Sequence, residues 1–366
     1  MSQFVVADAI VSIISSPLVT PFRIATGQHD ELENVFLCLR TTDGVCGYGE
    51  AAVATHITGE TIPGTLANLE RIAAALKGCT VEDPEALCRE LAPSLKGNHA
   101  ALAALEMAIL DITCRIQGIP LYQYFPPATD KGNKFTFNTD ITIVIGSVEE
   151  ARTATAQYSA QGFTTFKIKV GKDEAIDLER VLAVREIAPQ SELILDANMG
   201  FNAARMLAFL DQLDQHGARP VLLEQPVPKY DWEGLSTITK ALEGSETLVC
   251  ADESVGSLSD AKRAIDTGAV SAINIKTMKS GLFEGAEIAR LAARNNIPLM
   301  LGAMMESALS ITASAHMAAG LGCIDYADLD TTFFIKGELS HSPYLDNTGK
   351  FELVGAAPGI GVEPKF

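Results

Sequence analysis

The sequence predicts an α/β protein, a closed (β/α)8-type barrel preceded by a mixed α+β segment. Two observations carry this. A chain of 366 residues suits one large barrel plus a small domain. From about residue 138 onward, eight short β-rich runs recur at roughly 20–30-residue spacing, and each but the last is followed by an amphipathic helical stretch. A doubly wound sheet is the competing architecture. The chain has neither a GxGxxG after a first strand nor a Walker loop to support a nucleotide fold.

In chain order, residues 4–15, 33–41 and 45–53 read as strands, with "TTDG" at 41–44 as the turn between the last two. Helical patterns follow at 61–77, 84–95 and 98–117. The last is the strongest, with Leu102, Leu105, Ile109 and Ile112 on one stripe and Gly118–Ile119–Pro120 as its stop. The barrel runs are "TDITIVIG" (139–146), "FKIKVG" (166–171), "ELILDAN" (192–198), "VLLEQP" (221–226), "TLVCADES" (247–254), "SAINIK" (271–276), "PLMLGAM" (298–304) and "DYADLD" (325–330). The tail from 331 to 366 is expected to return to the N-terminal domain.

Bulk properties narrow the function. The formal net charge is −18, with 28 basic against 46 acidic residues, which argues against nucleic acid or an anionic membrane as partner. Seven cysteines form no CxxC pair and several sit in apolar runs, as core thiols of a reducing compartment do. The apolar N-terminus lacks early Lys or Arg and is interrupted by Asp8, so it reads as a strand and not a signal peptide. The expectation is a cytoplasmic protein with no membrane span.

The barrel strands share an oddity: they begin apolar and finish polar. Lys167 and Lys169 lie on strand two, Asp196 and Asn198 end strand three, Glu224 and Gln225 strand four, Asp252 and Glu253 strand five. Lys276 ends strand six, strand seven runs into Glu306, and Asp328 and Asp330 end strand eight. A single acidic strand end is more often an N-cap of the next helix, worth roughly 1 kcal/mol. Seven strands in succession are harder to dismiss, and lysine is a poor cap. C-terminal strand ends form the mouth of such a barrel. Asp196, Glu224 and Asp252 come from consecutive strands and offer three hard oxygen ligands, a set that suits Mg²⁺. Strands two and six are opposite in an eight-stranded barrel, so Lys169 and Lys276 would flank a substrate on its two faces. The neighbouring charge of Lys167 is expected to push the pKa of Lys169 down, toward that of a useful base. A metal holding a carboxylate, with a base on each face of the α-carbon, predicts proton removal and return through an enediolate: racemisation or epimerisation.

With these residues in place, the chain resembles the enolase superfamily, muconate-lactonising subgroup, over nearly its whole length. The motifs are "KIK" (167–169), "DAN" (196–198), "EQP" (224–226), "ADES" (251–254) and "NIKTMKSGL" (274–282). The resemblance implies a modified TIM barrel, (β/α)7β, at 131–334, and an α+β capping domain at 1–130 completed by 335–366. It implies Asp196, Glu224 and Asp252 as Mg²⁺ ligands, Lys169 and Lys276 as the acid/base pair, and Lys167 as their tuning partner. "ADLD" at 327–330 resembles the Asp-x-Asp of dipeptide epimerases, which implies that Asp328 and Asp330 hold the substrate's N-terminal ammonium. Segments near 22–31 and 50–58 would be cap loops over the second side chain of the dipeptide. Relatives specific for Ala-Glu tend to carry an Arg where Gly27 aligns, and those taking cationic dipeptides an acidic residue where Met305 stands. That departure points to a hydrophobic second residue. Asn198 and Glu253 would orient the metal ligands. Glu306, beside Met305, is a further candidate for substrate contact or for support of the ligands. His29, Asp30 and Glu31 are read as a solvated charge run with a smaller claim on substrate, and His316 as a satisfied core histidine. The alternatives are an L-Ala-D/L-Glu epimerase, an N-acylamino acid racemase or o-succinylbenzoate synthase, a cycloisomerase of muconate-like lactones, and a non-catalytic ligand-binding barrel. The fold's tendency to self-associate adds a homo-oligomer to the expectations, with no motif to specify it.

Overall fold

The structure, a computed structural model, describes residues 4–364. It opens with an antiparallel sheet of β1 (Phe4–Ile24), β2 (Gly27–Thr41), β3 (Cys46–Ala51) and β4 (Thr80–Val81) in the order β3-β2-β1-β4. Helices α1 (Thr55–Thr58), α2 (Ile62–Leu76), α3 (Pro84–Leu91) and α4 (His99–Gln117) complete this region. The stripe predicted on 98–117 is α4, with Leu105, Ile109 and Ile112 buried and a left-handed Gly118 ending it. One expectation changes. The first two strands extend to a tight turn at Ala25–Thr26, so the segment expected as a cap loop at 22–31 is the tip of a hairpin. Its ladder runs from Val6 to Pro17, breaks, and resumes for three pairs, Phe22 with His29, Arg23 with Gln28 and Ile24 with Gly27.

The barrel follows. A short β5 (Thr136–Asn138) leads into β6 (Ile141–Ile143), α5 (Val148–Gln161), β7 (Thr165–Lys169), α6 (Glu174–Ile187), β8 (Glu192–Asp196), α7 (Ala203–Gln215), β9 (Leu222–Glu224) and α8 (Trp232–Ala241). Then come β10 (Leu248–Ala251), α9 (Leu258–Thr267), β11 (Ala272–Lys276), α10 (Thr277–Arg294), β12 (Leu299–Gly302), α11 (Ala308–Leu321) and β13 (Tyr326–Asp328). β6 to β13 form one parallel sheet in sequence order. The seam between β13 and β6 is bridged individually: the Asp140 amide donates to the Ala327 carbonyl at 2.9 Å, and the Thr142 amide donates to Asp330 Oδ2 at 2.6 Å. The tail adds β14 (Lys350–Glu352), paired with β5, and returns to α4 where the Ile360 amide donates to Asp111.

The capping of the barrel helices decides what the strand-end acids are for. α5 starts with a Ser147–Glu150 capping box, and α6, α7, α8, α9 and α11 are capped by Asp173, Asn202, Asp231, Ser257 and Ser307. Each cap side chain takes one of the unpaired first-turn amides, and Asp173 takes two. None of these caps is a strand-end acid, so Asp196, Glu224 and Asp252 are free for other work. In α10, Gly281 adopts a left-handed φ of 73° and breaks the helix. Glu106 of α4 accepts from the Leu282 and Phe283 amides beyond the break, tying the first region to the barrel.

Candidate active site

Because side chains alternate along a strand, Lys167 and Lys169 of β7 both face the barrel interior, with Phe166 and Ile168 in the packing behind them. Asp196 and Glu224 are register partners at the ends of β8 and β9, and Asp252 follows β10 directly. All three carboxylates are buried, as are Lys167, Lys169 and Lys276.

The lysines are woven into the acids. Lys169 Nζ lies 2.6 Å from Asp196 Oδ2, and Lys167 Nζ lies 3.1 Å from the same oxygen, 2.7 Å from Glu224 Oε2 and 2.6 Å from Asp328 Oδ2. Lys276 Nζ is 2.8 Å from Asp252 Oδ2, and Lys279 Nζ is 2.6 Å from Asp252 Oδ1. Burial pushes the Asp196 carboxyl up, but the Lys169 and Lys167 ammoniums outweigh it and hold the group well below the usual carboxylate range. Lys276 and Lys279 do the same for Asp252. For Glu224 burial prevails and its pKa is pushed up to about 7.

Lys167 sits among acids as well as beside Lys169. Burial alone would lower its pKa, but Asp328, Glu224 and Asp196 more than reverse this and hold its proton more tightly. The like-charge pair is reconciled by a carboxylate both lysines share, and Lys167 is at the same time ion-paired to Glu224 and Asp328.

A cavity lined by Lys169, Lys276, Asn198, Glu253, Asp328, Asp330 and Met305 sits at this mouth. Thr142 joins from β6, Phe22, Ile24 and His29 from the hairpin tip, and Ala54, His56 and Ile57 from the segment around α1. A larger cavity of about 830 Å³ between the β1 hairpin and the tail contains none of the lysines or strand-end acids, so chemistry and not size marks the site. Asn198 Nδ2 donates to Glu253 Oε1 at 3.3 Å, and burial pushes the Glu253 carboxyl up to about 8.

Other expectations shift. Glu306 does not line the cavity. It is fully buried behind it, accepting from the Met304 amide and the Ser310 hydroxyl. Gly27 stands at the hairpin turn outside the cavity wall, and a Cβ there would meet the His56 ring at 3.7 Å. Asp330 is not on the strand with Asp328: β13 ends at Asp328, and Asp330 precedes a 3-10 turn, so the two acids meet through loop geometry and not period-two spacing. Asp30 is exposed and accepts from Gln28. His316 is buried, accepts from the Tyr122 amide and meets the Ile360 carbonyl, as a core histidine should.

Three residues escaped the sequence reading. Lys279 follows Lys276 by one helical step in "KTMK" and shares its carboxylate. Asp140, just before β6, is 2% exposed, and neither of its oxygens has a hydrogen-bond partner. Its carboxylate lies with those of Asp328 and Asp330 in a group whose ligand atoms are all within 4.8 Å of one another. Among the described residues this is the tight acidic group; Asp196, Glu224 and Asp252 are instead interleaved with lysines. His56 lies in a stretch that reads as loop.

The Asp196, Glu224 and Asp252 set fits a divalent cation by its donor chemistry: three buried hard carboxylates on adjacent strands, with no soft ligand among them. Glu224 Oε2 accepts no aligned hydrogen bond despite its proximity to Lys167, and buried oxygens of Asn198 and Glu253 nearby are likewise unpartnered.

Comparison with known proteins agrees with this geometry. Residues 8–125 match the mandelate racemase / muconate lactonizing enzyme N-terminal domain, and residues 149–366 match the enolase C-terminal domain-like family. A hydrophobic dipeptide epimerase of Citrifermentans bemidjiense is 68% identical over 364 residues, 100% of this chain and 99% of that protein. The substrate-liganded L-Ala-D/L-Glu epimerase of Bacillus subtilis superposes with a TM-score of 0.91 at 32% identity, covering 98% of each chain. The dipeptide epimerase of Enterococcus faecalis V583, complexed with Mg and the dipeptide L-Leu-L-Tyr, gives a TM-score of 0.87 at 31% identity, covering 97% of this chain and 99% of that one. The chain belongs to the mandelate racemase/muconate lactonizing enzyme family of the enolase superfamily.

Proposed function

We propose that the protein is a Mg²⁺-dependent dipeptide epimerase that inverts the α-carbon of the second residue and prefers a hydrophobic side chain there. The observation that carries this reading is the placement of Lys169 and Lys276 on β7 and β11, four strands apart in an eight-stranded barrel, lining one cavity whose outer wall is Phe22, Ile24, Ile57, Met304 and Met305. The full-length relative at 68% identity, named for hydrophobic dipeptides, supports it.

Asp196, Glu224 and Asp252 would hold the cation. When bound it would supply positive charge to the substrate carboxylate and so acidify the α-hydrogen. One lysine, neutral at Nζ, takes that hydrogen while the other, protonated, delivers one to the opposite face, and the next turnover runs in reverse. Asp328 and Asp330 would accept hydrogen bonds from the N-terminal ammonium, with Lys167 holding Asp328 in place. The largely apolar wall excludes water from the α-carbon and offers a charged second side chain no oppositely charged partner. In this reading residues 1–130 with 335–366 form the capping domain and 131–334 the catalytic barrel. Seven free cysteines accord with a reducing, cytoplasmic site of action.

The test is incubation with Mg²⁺ and L-Ala-L-Phe in D₂O, followed by mass and chiral analysis. The expected product gains one deuterium at the second α-carbon and appears as the L,D isomer; chelation with EDTA stops it. Absence of exchange with any dipeptide, alongside exchange of N-acylamino acids, would replace this reading with the racemase alternative.

A further inference from the structure

The cavity at the barrel mouth encloses about 50 Å³, room for a water or two, against roughly 300 Å³ or more in ordinary small-ligand pockets. A dipeptide enters only if its roof moves. Two separate pieces of chain contribute to that roof. One is the hairpin tip, attached through only three strand pairs beyond the break in the ladder. The other is the segment around α1, a single helical turn. His29 stands on the first and His56 on the second, and their rings meet across the gap with centroids 5.2 Å apart.

These imidazoles are unusual on an otherwise apolar wall. Both line the cavity beside Phe22, Ile24, Ile57 and Met305. Among the described residues neither ring makes a hydrogen bond. Each neutral imidazole carries one donor and one acceptor nitrogen; partial desolvation holds both groups toward the neutral form, helped at His56, which still has an exposed face, by the neighbouring Lys276 and Lys169. A substrate that closes the mouth strips water from these nitrogens, and a polar atom left unpaired on desolvation costs free energy. A ligand that supplies a partner avoids that cost, and one that does not is penalised.

We propose that His29 and His56 are specificity-determining residues that seat the outer end of the substrate's second side chain, selecting one with an apolar stem and a hydrogen-bonding tip. Tyrosine, whose phenol both donates and accepts where the indole of tryptophan only donates, is the aromatic side chain that suits a pair of imidazoles. This inference rests on the dipeptide reading and narrows its substrate class. The stem lies along Phe22, Ile24 and Met305, and the hydroxyl donates to one imidazole and accepts from the other.

The experiment compares kcat/KM for L-Ala-L-Tyr and L-Ala-L-Phe, with Mg²⁺, in the wild type, in the double variant His29→Phe/His56→Phe and in the conservative His56→Gln. The ratio of the two substrates is read on the same enzyme, so partial loss of folded protein cancels. The wild type should favour the tyrosine dipeptide by about 5- to 10-fold, the value of one hydrogen bond. The double variant should bring the ratio to about one, and His56→Gln should keep most of the preference. A wild-type ratio near one, or a preference that survives the double substitution, overturns the histidine assignment while leaving dipeptide epimerisation standing. Turnover of neither dipeptide by the wild type overturns the dipeptide reading and this inference together.

Discussion

The strand ends of the barrel and the two flaps that roof them solve opposite problems. At the strand ends, charge is dense and buried: Lys167, Lys169, Lys276 and Lys279 interlock with Asp196, Glu224, Asp252 and Asp328 through contacts of 2.6–3.1 Å. The flaps offer an apolar lining and two imidazoles that make no hydrogen bond among the described residues, on a hairpin tip and a one-turn helix. Reaction chemistry demands groups fixed to within fractions of an ångström, and parallel strands joined by a continuous ladder supply that. Admission and choice of substrate demand a surface that gives way, and short elements with few pairs supply that instead.

The largest expected effect falls on the rigid side. Lys169→Ala and Lys276→Ala should each reduce epimerisation by about 10²–10⁴-fold, the usual worth of a positioned acid or base. The two losses should differ in kind. In D₂O each variant should still exchange the α-hydrogen of one isomer, and the isomers should be opposite for the two variants. Both variants losing both exchanges equally would show that the lysines act as one unit and not on two faces.

Lys167 should matter more for stability than for proton transfer. Lys167→Met leaves Asp196, Glu224 and Asp328 short of an ammonium inside a buried site, and breaking one side of a buried ionic cluster costs about 3–5 kcal/mol. Urea unfolding at pH 7 without added Mg²⁺ measures it. Added Mg²⁺ should recover part of the loss by restoring positive charge. A loss below about 1 kcal/mol would mean that the cluster relaxes or takes up protons instead.

This contrast also explains what was legible in the amino-acid order. Lys167, Lys169, Asp196, Glu224, Asp252 and Lys276 could be read because strand ends impose a regular spacing and because lysine is a poor cap, which removed the ordinary explanation. Lys279 was hidden one helical step past the strand, where a lysine on an amphipathic helix is usually solvated. Asp140 was hidden because it precedes its strand, and only the closure of β13 against β6 brings it to Asp328 and Asp330. The hairpin tip was expected, from the resemblance, as a cap loop over 22–31, yet the chain stays extended on both sides of its turn. Glu306 was misplaced for a related reason. Its position after β12 suggested the mouth, but the chain turns there and the carboxyl folds back onto Ser310.

Glu306 gives a pH signature of that misplacement. Burial, with Ser310 and the Met304 amide only partly compensating, pushes its carboxyl up to about 8, whereas the unfolded value is about 4.3. A group with a raised folded pKa contributes stability that is complete below the unfolded pKa and is lost as pH rises through the folded one. The wild type should therefore lose stability between about pH 5 and pH 8, and Glu306→Gln, which mimics the protonated form, should flatten that decline. Parallel slopes for the two proteins would show that Glu306 stays ionised in the fold.

The smallest expected effect tests whether the flaps alone set the substrate. Gly27 is the position where the resemblance implies an Arg in Ala-Glu-specific relatives. A Cβ there meets the His56 ring at 3.7 Å, an ordinary contact, and Gly27 is not among the glycines with positive φ, so a side chain is tolerated. Gly27→Arg would place a guanidinium beside the His29–His56 pair, where it donates bidentately to a carboxylate. The ratio of kcat/KM for L-Ala-L-Glu over L-Ala-L-Phe should rise about 2- to 5-fold, with the salt dependence of an exposed charge pair. The exchange chemistry at the lysines should be untouched, since nothing at the strand ends moves. A change in deuterium exchange rate for both dipeptides alike, with no change in their ratio, would mean instead that the flap reaches through to the lysines, and that the division between a rigid reacting floor and a selecting roof is drawn in the wrong place.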